Sequence, residues 1–194
     1  MSFRPDAGDS RTMRERMLAG DLYIADDPEL AEASSRALDL AAAYNATTVR
    51  QSTLRRRLLE ELLGAIGEDT EIRPPLYVDY GSNVSIGARC FANFGLVALD
   101  TAPIVIGDDV QMATYVQLLT ATHPLEPGPR RDKWESAHPI TIGDNVWLGG
   151  GVIVLPGISI GDDTVVGAGS VVTRDLPAGV VAVGSPARVV RDLP

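Results

Sequence analysis

The 194-residue chain is poor in the residues that most often carry chemistry: it has one cysteine, two histidines and only 5% aromatics. Cys90 on its own makes no internal disulfide and no CxxC metal framework, and it leaves no sign of an oxidising compartment. No run of about 18 apolar residues occurs, so a membrane span is not expected. The charged N-terminal stretch MSFRPDAGDSRTMRERML lacks the apolar segment of a secretion signal, and a cytoplasmic setting is expected. Basic surplus is also missing. With a formal charge of -9, most of the surface repels nucleic acid and anionic membranes, so neither is an expected partner.

What the chain has in quantity is glycine, 19 residues of it, within a composition that is 45% hydrophobic. The packing therefore falls to aliphatic residues of modest size. The stretch from Ile140 to Val172, ITIGDNVWLGGGVIVLPGISIGDDTVVGAGSVV, places Ile142, Leu148, Val154, Ile160, Val166 and Val172 six residues apart. Ile106, Met112 and Leu118 keep the same spacing, and Ile72 with Val78 and Ile86 with Ala92 show weaker versions. Six is not a helical period. Three such units close one triangular coil, with short strands as flat faces and residues such as Gly143, Asp144, Gly161 and Asp162 at the corners. A lone coil cannot bury its apolar row, so coils stack into a solenoid, which predicts a parallel β-helix over 68–194.

Residues 1–67 read differently. DPELAEASSRALDLAAAYN has Asp27 as N-cap and Pro28 at the first helical position, and Leu30, Ala33, Ala37, Leu38, Ala41 and Tyr44 mark one helix face. STLRRRLLEELLG places Leu54, Leu58, Leu59, Leu62 and Leu63 on a second stripe, with Gly64 as the stop. Three short helices are expected in this N-terminal segment, with the RRR and EE runs as solvated surface.

One segment interrupts the coils. ATHPLEPGPRRDKWESAHP, about 121–139, contains Pro124, Pro127, Pro129 and Pro139, which donate no amide hydrogen to a ladder, so it is expected to protrude as a loop. Both histidines, His123 and His138, lie at its ends.

Together, the hexapeptide repeats, MLAGDLY, AAAYN, DYGSNVSIGARCFANF, TATHP, PITIGDNVWLGGG and VVAVGSPARVVR resemble the maltose and galactoside O-acetyltransferases. This likeness spans nearly the whole chain. It implies a left-handed β-helix, a hand the usual right-handed crossover rule does not supply. It also implies acetyl-CoA as co-substrate, no metal, a small sugar acceptor, and a homotrimer with its sites between adjacent subunits.

Acetyl transfer to a hydroxyl needs a base, and a neutral imidazole suits that role. The resemblance puts His123 there, with Glu135 orienting or polarising it and Asn93 as an amide donor to the developing oxyanion. Asp79, Asn93 and Asp100 are the implied acceptor contacts. Trp147, Gly150, Ala168, Thr173, Arg174, Arg188 and Arg191 are the implied cofactor contacts, the arginines through their bidentate fork. The chain departs from the galactoside branch at Thr101 and Ala25, where that branch has acids. Cys90 and His138 read as structural. A zinc site of the kind found in γ-type carbonic anhydrases needs three histidines, and this chain has two. Two alternatives stay open: the same chemistry on an antibiotic or other small acceptor, and a non-catalytic β-helix scaffold.

Overall fold

A computed structural model describes residues 9–194; the first eight residues of the charged N-terminal stretch lie outside the described residues. The chain forms the expected left-handed parallel β-helix of about six turns, preceded by helices and carrying one protruding segment. Its three faces are parallel sheets. The first face stacks Ala65–Ile66, Val84–Ile86, Ile104–Ile106, Ile140–Ile142 and Ser159–Ile160. The second runs from Glu71–Ile72 through Phe91–Ala92, Gln111–Met112, Trp147–Leu148 and Val165–Val166 to Val180–Val183, and Arg188–Asp192 closes it antiparallel. The third comprises Leu76–Val78, Leu96–Leu99, Gln117–Leu119, Ile153–Val154 and Val171–Val172.

The six-residue spacing is the inward column of each face. Ile86, Ile106, Ile142 and Ile160 are cross-strand partners, as are Ala92, Met112, Leu148 and Val166, and Ala98, Leu118, Val154 and Val172. All are buried. Each buried aliphatic of this kind stabilises by about 1.5–3 kcal/mol, and together the columns are the core. Cys90 is among these interior residues, where its thiol donates to the Gly107 carbonyl at 3.1 Å.

The Gly-Asp corners have a packing cause. The Asp144 carboxylate accepts the Asp108 backbone N–H at 2.8 Å, and Asp162 accepts that of Asp144 at 2.9 Å. A Cβ on Gly107 or Gly143 would sit 2.2 Å from the Asp144 or Asp162 Oδ1, respectively. Only glycine leaves room for this ladder of carboxylates up one corner.

Three helices cap the N-terminal end: α1 (Met13–Leu18), α2 (Pro28–Asn45) and α3 (Ser52–Leu62). Asp27 caps α2 as expected, accepting from Glu29 N at 2.9 Å and Leu30 N at 3.3 Å. Three details differ from the sequence reading, the first being that Arg55 and Arg56 of the RRR run are partly buried and donate to the Ile72 and Gly67 carbonyls at 3.0 and 2.7 Å. Leu38 is 56% exposed, because the buried stripe of α2 runs through Leu30, Ala37, Ala41 and Tyr44 alone. Gly64 does not end α3 through a left-handed turn; Leu63 is the cap, and Gly64 is required because a Cβ there would meet the Ser82 carbonyl oxygen at 2.4 Å.

The interrupting segment is more ordered than a bare loop. Ala121–Thr122 pairs antiparallel with Trp134–Ala137, a short helix Pro127–Arg131 forms the tip, and Tyr23–Ile24 from the N-terminal part adds a third strand on the outer side. Among the described residues, no helix is long and apolar enough to cross a membrane.

Candidate active site

The hairpin register decides what faces what. Ala121 opposes Ala137 and Thr122 opposes Ser136, and the ladder ends there, with His123 leaving the strand on the side of the cleft that Glu135 also lines. On the other side of the same strand Tyr23 opposes Glu135. Cross-strand partners share a face. Tyr23 and Glu135 therefore share one face of the small sheet, and Glu135 and His123 line one cleft. The buried Tyr23 hydroxyl donates to Glu135 Oε2 at 3.1 Å. Burial pushes the Tyr23 hydroxyl well above the ordinary tyrosine value, and the Glu135 carboxylate beside it adds to that.

His123 opens onto a cleft of about 300 Å³ that it shares with Ala25, Asp26, Arg130, Lys133 and Glu135. Lys133 pairs with Asp26, and Arg130 donates to the Pro124 and Leu125 carbonyls, so both cations brace the hairpin. A second cleft of about 420 Å³ adjoins it through Ala25 and Glu135, and Tyr23, Asp79, Tyr80 and Thr101 contribute to its walls. Burial pushes the Asp79 carboxyl up to about 6, with the negative charges of Asp100 and Glu135 adding to the effect.

Asp100 is placed differently from the expectation. It has no exposed surface, and its carboxylate accepts the backbone N–H groups of Asp79 at 3.0 Å, Tyr80 at 2.9 Å and Asn83 at 3.1 Å. It lies beneath the 79–83 turn and shapes the wall from behind, so its part is to position and not to contact. The alternation of Leu96 and Ala98 as inward residues, carried on by two, puts Asp100 inside; that signal is present in the sequence.

Asn93 stands at the corner between the second and third faces. Its Oδ1 accepts the Phe94 backbone N–H at 2.8 Å, and its amide nitrogen has no acceptor among the described residues. His123 lies past the opposite edge of the third face. The strand Leu96–Leu99, roughly 13 Å of extended chain, and a corner at each end separate those edges, so the register sets His123 and Asn93 apart within one chain.

The expected cofactor residues divide in the same way. Trp147, 55% exposed, shares an outward column with Val165, Val181 and Arg191. Gly150 and Ala168 occupy successive levels of the adjoining corner, where the Gly150 carbonyl accepts from Gly169 N at 2.8 Å. Arg188 pairs with Val183 at the closing end of this face. Thr173 and Arg174 lie across the third face, next to Asp175, on its far edge. The His138 backbone N–H donates to the Thr120 carbonyl at 2.9 Å, which anchors the end of the hairpin. Tyr23, Tyr80 and Lys133 belong to the site region without appearing among the expected residues; MLAGDLY holds the first of them, with no local signal for its distant partner.

Residues 16–67 match the family described as the maltose acetyltransferase hexapeptide capping motif, and residues 139–174 match the bacterial transferase hexapeptide family. The chain is 40% identical to the galactoside O-acetyltransferase of Escherichia coli strain K12, over 93% of this chain and 89% of that one. Among solved structures, a maltose O-acetyltransferase from Clostridium difficile 630 superposes with a TM-score of 0.94 at 41% identity, covering 96% of this chain and 100% of the other. A galactoside acetyltransferase in complex with coenzyme A superposes with a TM-score of 0.92 at 39% identity, over 95% and 92%. By sequence along nearly its full length and by fold, this chain belongs to the maltose and galactoside O-acetyltransferases, a family of hexapeptide-repeat acyltransferases.

Proposed function

We propose that the protein transfers the acetyl group of acetyl-CoA to a hydroxyl of a small sugar-type acceptor, with His123 as general base. The observation that carries this reading is that His123 and Glu135 line one open cleft, beside the pocket that Glu135 shares with Asp79. The imidazole takes the hydroxyl proton as the oxygen attacks the thioester carbonyl, and returns it to the departing thiolate. Glu135 fixes the orientation of the ring during transfer. Asp79 and Glu135 receive acceptor hydroxyls in the larger cleft.

The amide of Asn93, its nitrogen without an acceptor among the described residues, is a donor suited to the tetrahedral oxyanion. Because Asn93 and His123 stand at opposite edges of one face, a site using both is assembled between copies of the chain, which supports a homotrimer. The cofactor arm follows Gly150 and Ala168, where small residues permit close approach to backbone amides, with Trp147 alongside and Arg188 and Arg191 toward the phosphates. Thr173 and Arg174, on the far edge, join such a path only from a neighbouring copy.

Thiol release from acetyl-CoA, measured against glucosides, galactosides, maltose, chloramphenicol and aminoglycosides, tests the reading. Turnover with a sugar is expected. Turnover with an antibiotic alone overturns the acceptor class and leaves the transfer chemistry standing.

A further inference from the structure

Tyr23 is one of the largest side chains with no exposed surface, yet it sits in a strand of two residues, outside the β-helix core, and ends in a hydroxyl. It belongs with Met17 and Leu30 to a small apolar cluster formed by α1 and α2. A phenylalanine fills such a cluster as well as a tyrosine does. The hydroxyl serves elsewhere, reaching out of the cluster to Glu135 Oε2 at 3.1 Å, across 112 residues of sequence. The partner is a carboxylate, so the bond is of the charge-assisted kind, and at 3.1 Å it is a long one.

Two further contacts hold this strand in place, and the residue between them lines the site. Ile24 pairs with Trp134, which is itself buried, Asp26 pairs with Lys133, and Ala25 lines both clefts. The N-terminal cap is thereby stitched to the hairpin that carries His123, although the two lie far apart in sequence. Glu135 is reached from one side by the phenol and on the other lines the same cleft as His123. Its Oε2 is taken by Tyr23, while Oε1 has no protein donor among the described residues and is available to the imidazole or to an acceptor hydroxyl.

We infer that Tyr23 is the positioning residue of the site: its hydroxyl orients the Glu135 carboxylate toward His123 and so couples the N-terminal cap to acetyl transfer. This rests on the reading of His123 and Glu135 given above. The cap is then a working part of the site as well as a lid on the end of the solenoid.

The test is Tyr23→Phe in the full chain, which keeps the ring and removes one oxygen. Loss of a hydrogen bond to a charged group predicts a fall in kcat of roughly tenfold to hundredfold, with KM for acetyl-CoA unchanged. On a Glu135→Ala background the same substitution should cost nothing more, since the carboxylate it orients is gone. A readout independent of turnover is the ring signal of His123 in a heteronuclear NMR spectrum, where only two histidines contribute. It should move in both Tyr23→Phe and Glu135→Ala, with the His138 signal in place. A wild-type kcat with an unmoved His123 signal overturns the inference, as does an equal loss on both backgrounds. If His123→Ala and Glu135→Ala retain wild-type turnover, the catalytic reading fails instead, and with wild type inactive on every acceptor the NMR result alone decides the positioning role.

Discussion

Asp100 holds Asp79 from behind: the buried Asp100 carboxylate accepts the Asp79 backbone N–H at 3.0 Å, and of the two acids only Asp79 lines the cleft. Asp100→Ala leaves the amides of Asp79, Tyr80 and Asn83 without an acceptor in a buried place. A loss of about 3 kcal/mol is expected, read as a lower denaturant midpoint, with Asp100→Asn losing less. An Asp100→Ala protein of wild-type stability contradicts the positioning role.

Asp79 makes stability and acceptor affinity respond to pH in opposite directions. Its folded-state value of about 6 stands above the ordinary 3.8, so within that window the folded chain keeps a proton that the unfolded chain has released. The contribution to stability is therefore fully present below 3.8 and is lost as pH rises through about 6. Asp79→Asn should remove this slope and gain about 1–2 kcal/mol at neutral pH, allowing for partial solvent screening. The ionised carboxylate is the form that receives a hydroxyl. KM for the acceptor should then fall as pH rises through about 6 in wild type and stay flat in Asp79→Asn. Parallel profiles for the two proteins contradict the assignment.

The corner ladder predicts which glycines matter. Gly143→Ala puts a Cβ 2.2 Å from the Asp162 Oδ1 and forces a corner apart, whereas Gly128 in the hairpin has nothing within 4 Å of the added atom. Thermal unfolding should show Gly143→Ala destabilised by about 2 kcal/mol or more, and Gly128→Ala near neutral. Equal effects at the two sites contradict the steric account.

The coil is legible because its signal is repeated: each member of the series Ile142, Leu148, Val154, Ile160, Val166 and Val172 repeats the same inward environment, and all six are buried. The hairpin is legible only as an interruption. Its pairing with Tyr23–Ile24 joins a strand of two residues to a partner more than a hundred residues away, and two residues carry no periodicity. Leu38 misleads because an alanine-rich helix has a weak stripe, in which a leucine one position off the face looks like part of it. Asp100 shows the reverse case. Local alternation from Leu96 and Ala98 points it inward, and the carboxylate's aptness for sugar hydroxyls obscures that.

A site shared between copies has a distinctive genetic signature. His123→Ala and Asn93→Ala chains, each inactive alone, should regain activity when mixed oligomers are formed from both. Equal mixing in a cyclic trimer restores about a quarter of the wild-type rate, because that share of interfaces carries both intact residues. Mixtures no more active than the separate variants contradict a site that spans two subunits.

If His123 performs the proton transfer and the solenoid the binding, the two should separate in one variant. The most direct measurement compares wild type and His123→Ala in acetyl-CoA thiol release and in calorimetric titration with CoA. A kcat reduced by about 10²–10⁴ with CoA affinity unchanged is the expected result. A His123→Ala protein that turns over at the wild-type rate, or one that loses CoA binding in step with its activity, contradicts it.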